Sequence, residues 1–129
     1  MPYSIWDFVD ARGSNLIYEW AQRRSKRDRA KLNQRFDRLA QVDFQLAVNS
    51  RLLAGPIYKH VYKMQIHGEV QMRPLLCRGP ISNETEYTLL RGATERDGVL
   101  TPGAKEQAEL DRATILSFPA RRKPHARIR

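Results

Sequence analysis

The side chains in this sequence that could do chemistry are mostly cations. Arg73 carries a planar fork of donors suited to bidentate contact with phosphate. It could equally be a strand-surface arginine paired with Glu69 or Glu86. Arg91 and Arg96 repeat the choice between phosphate ligand and solvated loop cation. Arginine does not deprotonate in proteins, so it can offset charge but cannot move a proton. Lys59 and Lys63 share one face of an expected strand, where clustered cations lower a lysine pKa towards that of a usable base. A plain wet face would look the same. The other proton carriers near neutral pH are His60, His67 and His125. Strand parity sends His60 coreward, and the other two fall in a turn and in the tail. The three show no metal-ligand spacing, so neither a metal nor another cofactor is expected. Tyr58, Tyr62 and Tyr87 could stack on unpaired bases or pair across strands. The single cysteine, Cys77, follows two leucines and reads as a small buried apolar residue.

The charge is large and unevenly placed. The chain has 129 residues and a formal net charge of +9. Residues 22–38 hold Arg23, Arg24, Lys26, Arg27, Arg29, Lys31, Arg35 and Arg38 against only Asp28 and Asp37. Residues 119–129 hold Arg121, Arg122, Lys123, Arg127 and Arg129 with no acid. Concentration of this kind is the footprint of a polyanion partner. A solvated helix face with a floppy basic tail is the alternative, and it would leave an acidic protein partner or plain solubility as the reason for the charge. An apolar fraction of 41% supports one modest core. Apolar runs are too short to span a membrane, the start lacks the pattern of a signal peptide, and a lone thiol suits a reducing cytoplasm.

The elements that must position these groups follow from pattern. Tyr3 to Val9 reads as a strand. Ser14 can cap a helix with Leu16, Ile17, Trp20 and Ala21 on one face. Ser25 and Asp28 have capping-box spacing for a second helix to about Gln41, buried along Leu32, Phe36, Leu39 and Ala40. Val42 to Ala54 is aperiodic. Gly55-Pro56 breaks the chain, and Ile57 to Ile66, Val70 to Cys77 and Thr85 to Gly92 read as three strands with a hairpin turn at His67-Gly68-Glu69. Thr101-Pro102 reads as N-cap and first residue of a last helix, with Ala104, Ala108, Arg112 and Ile115 on one face and Leu116 beside them. The expected fold is α+β. An antiparallel sheet of the N-terminal strand plus a three-strand meander is packed on one side by two N-terminal helices and one C-terminal helix, leaving the other face open for a ligand. Residues 1–118 form the domain and residues 119–129 a flexible basic tail.

This order resembles the RelE/ParE toxin superfamily, above all its HigB-like, phage-associated branch. The residues that carry the resemblance are Gly55-Pro56-Ile57-Tyr58-Lys59, the run Gly68 to Arg73, Thr88-Leu89-Leu90-Arg91-Gly92-Ala93-Thr94-Glu95-Arg96, and the helix with Pro102, Ala104 and Ala108. The stretch Phe8-Val9-Asp10-Ala11-Arg12-Gly13 with Ile17 and Trp20 is similar too. The resemblance implies the toxin of a type II toxin–antitoxin pair, a ribosome-dependent mRNA endonuclease that cuts without a metal. Its implied partners are mRNA, the ribosome and an antitoxin protein, with no membrane and with homodimerisation allowed. Arg73, with Lys63, Arg91 and Arg96, would hold and polarise the scissile phosphate; Lys59, Arg27, Lys31, Arg35, Arg38 and Arg78 would bind RNA. Active relatives often carry His-Gly-Phe and a Lys-Lys pair where this chain has Arg91 to Arg96, and no tyrosine follows Tyr87. The alternatives on the same fold are therefore non-catalytic: a gyrase-inhibiting toxin, or a basic RNA-binding or phage assembly protein.

Overall fold

A computed structural model describes residues 2–129. The chain opens with β1 (Ser4–Phe8), then α1 (Leu16–Gln22), α2 (Lys26–Gln41) and α3 (Phe44–Asn49). Next come β2 (Leu53–Tyr58), β3 (Val61–Met64), β4 (Ile66–His67), β5 (Gln71–Met72), β6 (Leu75–Arg78), β7 (Glu86–Arg91), β8 (Thr94–Arg96) and β9 (Val99–Leu100). It closes with α4 (Ala104–Ser117) and β10 (Arg122–Pro124). Six strands form one sheet in the order β10-β1-β7-β6-β3-β2, antiparallel except for the parallel pair β1–β7. A second sheet has the order β4-β5-β8-β9. The class is α+β.

Strand alternation divides the large sheet between two cores. Leu76, Tyr87 and Leu89 point to α1, α2 and α3, where Ile17, Ala21, Leu32, Phe36 and Leu39 meet them. Leu75, Cys77 and Leu90 point the other way, to Ala104, Ala108 and Ile115 of α4. Helices therefore pack both faces, and the expected open face does not exist. The cause is α4, whose two alanines let it lie close on a face that the strand pattern had already made apolar.

Local chemistry fixes the helix ends. Ser25 Oγ accepts from Asp28 N at 3.2 Å, one half of the expected capping box. The Asp28 carboxylate, instead of reaching back, is buried and accepts the Glu69 N–H, tying the β4–β5 turn to α2. A Cβ at Gly68 would meet that carboxylate at 2.4 Å, so only glycine lets the turn come so close. Asn15, not Ser14, caps α1. Gly103, not Thr101, precedes α4, and the Thr101 hydroxyl pairs with Thr94 across the β8–β9 hairpin. Leu116 is exposed, and Asp111 takes a place on the buried side of α4.

Five further expectations change. The stretch Ile57 to Ile66, read as one strand, turns at Lys59-His60 between β2 and β3 and ends in β4, so Lys59 and Lys63 do not share a strand face. The short helix α3, capped by Asp43, occupies the aperiodic stretch. Gly55-Pro56 lies inside β2, an edge strand where a missing N–H costs no ladder bond. The strand read from Val70 to Cys77 is broken at Arg73-Pro74 into β5 and β6, which belong to different sheets. The basic tail is not free either. Residues of β10 pair with β1, Ile128 is buried in the α1–α2 core, and its backbone N–H and C=O bond the Asn33 side chain at 2.8 Å each. No helix among the described residues is long and apolar enough to cross a membrane.

Candidate active site and cationic surfaces

Where the chain passes from one sheet to the other, three charged side chains meet. Lys63 lies on β3 opposite Leu75, and Glu95 lies on β8 opposite Gln71. Arg73 sits in the link between, its N–H donating to Ala93 O at 2.9 Å. Lys63 Nζ donates to Glu95 Oε1 at 2.8 Å, and Arg73 Nε stands 3.5 Å from the same oxygen. Glu95 Oε2 accepts no bond from any described residue. The Lys63 ammonium holds the Glu95 carboxyl below the usual carboxylate range, against the upward push of partial burial. Glu95 lies between two hollows. One of about 410 Å³ is walled by Ile57, Lys63, Leu100 and Lys105, and one of about 510 Å³ by Glu69, Gln71 and Arg96.

This arrangement changes the expected role of Arg73. Its residue surface is 5% exposed, and its Nη1 donates to Met72 O at 3.0 Å. A guanidinium so enclosed cannot meet a phosphodiester, and its carboxylate neighbour is Glu95 instead of Glu69 or Glu86. Burial follows from the bend at Pro74, which carries Arg73 off the strand and under the second sheet. Arg91 is also engaged: Nε and Nη2 bond both oxygens of Asp111 at 2.7 and 2.9 Å. Burial pushes Asp111 up, against the pull of that arginine. Arg96 is exposed and forms no ion pair among the described residues. Of the four expected catalytic cations, Lys63 and Arg73 come together, Arg96 lies on the rim, and Arg91 is bound elsewhere.

The expected RNA-binding cations fall in two places. Arg27, Lys31, Arg35 and Arg38 share one face of α2, with all but Lys31 exposed. Lys31 Nζ donates to His67 O at 3.0 Å. Lys59 and Arg78 border a separate hollow of about 210 Å³ with His60, Tyr62 and Arg112. There Arg78 stacks on Phe44, 3.9 Å from the ring centre. His60 is exposed at the β2–β3 turn beside Glu109, not coreward, because Lys59 adopts a left-handed φ of 49° and turns the chain. His67 ends β4, paired with Gln71 across the turn that follows. His125 is held by Asp7 at 2.8 Å and lies edge-on to Phe36. Cys77 is fully buried, and burial pushes its thiol up to about 12.

No family model, curated protein or solved structure matches this chain.

Sequence reasoning missed Glu95 as the partner of Lys63 and Arg73. The available signal was Asp97-Gly98, a hairpin dipeptide between Thr94–Arg96 and Val99–Leu100. It turns a stretch read as loop into β8, and β8 brings a carboxylate beside Lys63. Asp7 and Asp111, both buried acids with a cationic or imidazole partner, carried no pattern in the sequence.

Proposed function

We propose that this chain is a toxin of the RelE/ParE type, HigB-like in its order of elements, and that it cleaves messenger RNA at the ribosome by acid–base chemistry. The strand, helix pair, β3–β6–β7 core and last helix support the family reading. The observation that carries the chemistry is Glu95, with one oxygen bonded by Lys63 and 3.5 Å from the Arg73 guanidinium, and the other unengaged.

An ionised carboxylate with a free oxygen can take the 2′-hydroxyl proton. The 2′-oxygen then attacks phosphorus, the bond to the 5′-oxygen breaks, and a 2′,3′-cyclic phosphate is left. Lys63 offsets charge on the pentavalent phosphate and gives a proton to the departing 5′-oxygen. Arg96 on the rim contacts a neighbouring phosphate. Arg73 is a positioning residue that orients Glu95 from below. An antitoxin protein would be the natural inhibitor.

The test is expression in a bacterial host with primer extension on a translated message. Wild type is expected to arrest growth and to leave cuts at fixed codon positions, and Glu95→Gln to remove the cuts while the protein stays folded. Cuts that persist in Glu95→Gln would overturn the assignment. The binding-only reading is favoured by one observation: Arg73 and Arg91, the cations best suited to phosphate, are already paired with carboxylates. Growth arrest without cuts would establish it.

A further inference from the structure

Between α2 and the turn that follows α3 lies a hollow of about 400 Å³, within the roughly 300–1,000 Å³ range of ligand sites. Arg35 and Arg38 line it from the helix, Arg51 from the turn, and Ser50, Gln65 and His67 complete the rim. No carboxylate lines it. Elsewhere Arg73, Arg91, Arg112, Arg122 and Arg127 each have an acid partner. Arg35, Arg38 and Arg51 have none among the described residues, as is true of other surface arginines such as Arg27 and Arg96, but these three share one cavity. Three guanidinium groups around one cavity repel one another, and an anion in that cavity relieves the repulsion.

The backbone fixes where Arg51 stands. Arg51 has φ of 64°, a left-handed conformation disfavoured for any residue with a Cβ. Its N–H donates to Val48 O at 3.1 Å and its carbonyl accepts from Gln65 Nε2 at 3.2 Å, so the turn is held in place. Asparagine or glycine would relax this position. This left-handed residue closes α3 and places the Arg51 side chain on the wall of the hollow.

We propose that this hollow is a phosphate-binding site that takes a backbone phosphate of single-stranded RNA. It deepens the reading above and rests on it for the nature of the substrate. The row Arg27, Lys31, Arg35 and Arg38 leads along α2 into the hollow, with neighbours about 5–6 Å apart, which suits successive phosphates on a strand better than a lone small anion. Gln65, Ser50 and His67 add neutral or titratable groups able to bond ribose and phosphate oxygens.

The experiment measures fluorescence anisotropy of a labelled single-stranded RNA with Glu95→Gln protein, which leaves the RNA intact. Adding Arg51→Ala is expected to weaken binding about tenfold and to reduce the slope of log affinity against log salt by about 0.7, the single-strand value for one phosphate contact. Arg51→Gly separates function from folding: it is expected to raise the melting temperature while weakening RNA binding. Arg51→Lys is expected to restore part of the affinity. Arg121→Ala removes the same charge elsewhere, and equal weakening by it would overturn the site in favour of diffuse attraction. Competition by millimolar inorganic phosphate with no effect of Arg51→Ala on RNA would overturn it in favour of a small-anion site. The two proposals fail separately. Unchanged RNA affinity in Arg51→Ala, with cuts still lost in Glu95→Gln, removes this site alone. An Arg51-dependent affinity with no cuts by wild type removes the cleavage reading alone.

Discussion

Ile128→Ala tests whether the last residues belong to the core. Ile128 is 3% exposed and packs with the α1–α2 cluster. The substitution deletes three buried carbons. At about 0.8 kcal/mol for each, the transfer loss is roughly 2.4 kcal/mol. Core truncations of this type cost about 2–5 kcal/mol once the residual cavity is included. A loss of about 2–3 kcal/mol, at the lower end of that range, is expected. The paired bonds to Asn33 hold the backbone in place and keep the loss from relaxing away. For a domain of this size 1 kcal/mol shifts the melting point by about 4 °C, so the variant is expected to melt roughly 8–12 °C below wild type. Urea unfolding followed by tryptophan fluorescence should show a lower midpoint at unchanged slope. Trypsin should also cut after Arg121 and Arg122 sooner. A loss below about 0.5 kcal/mol, the range of surface substitutions, would refute the docked tail and restore a free basic arm.

Gly92→Ala places a Cβ 1.8 Å from a ring carbon of Trp20; an overpacking loss of about 1–3 kcal/mol is expected, together with a shift in tryptophan emission. Glu95 has a lowered carboxyl pKa, so the stability it contributes is present above the unfolded glutamate value of about 4.3 and is lost as pH falls through its lower folded value. The stability gap between wild type and Glu95→Gln should therefore narrow below about pH 4 in chemical denaturation; a gap independent of pH would contradict the ion pair. Cys77, fully buried with its thiol raised, should resist an aromatic disulfide reagent at pH 8 until the protein is unfolded.

Periodic segments were legible and junctions were not. Leu32, Phe36 and Leu39 of α2 are buried as their spacing requires, because one apolar stripe has one low-energy orientation. The β4–β5 turn and β7 also lie where pattern put them. The break at Arg73-Pro74 did leave a mark: Pro74 has no N–H for a central ladder, and the alternation of Val70 to Arg73 stops at Leu75-Leu76-Cys77, but neither sign shows that the two halves join different sheets. That one bend decides the candidate site, since it buries Arg73 and brings Glu95 to Lys63. The tail was misread because its composition is dominated by cations, whereas its β10 pairing and the side chains of Arg122, His125 and Ile128 anchor it. The cations of α2 were found by charge alone, whereas Arg51 became visible only through its backbone conformation.

The position of β1 bears on how the molecule assembles. Ser4 to Asp7 align with Glu86 to Leu89 on one side, and Trp6 to Phe8 with Pro124 to Arg122 on the other. Every ladder bond of this first strand therefore waits for residues far downstream, and closing so long a loop costs entropy before any bond returns it. Hairpins such as β2–β3 and β6–β7 can form from local contacts, while insertion of β1 between β7 and β10 comes late. Until then β7 presents an unpaired edge, the kind of surface on which chains aggregate, so slow recovery from denaturant at high protein concentration is built into the topology.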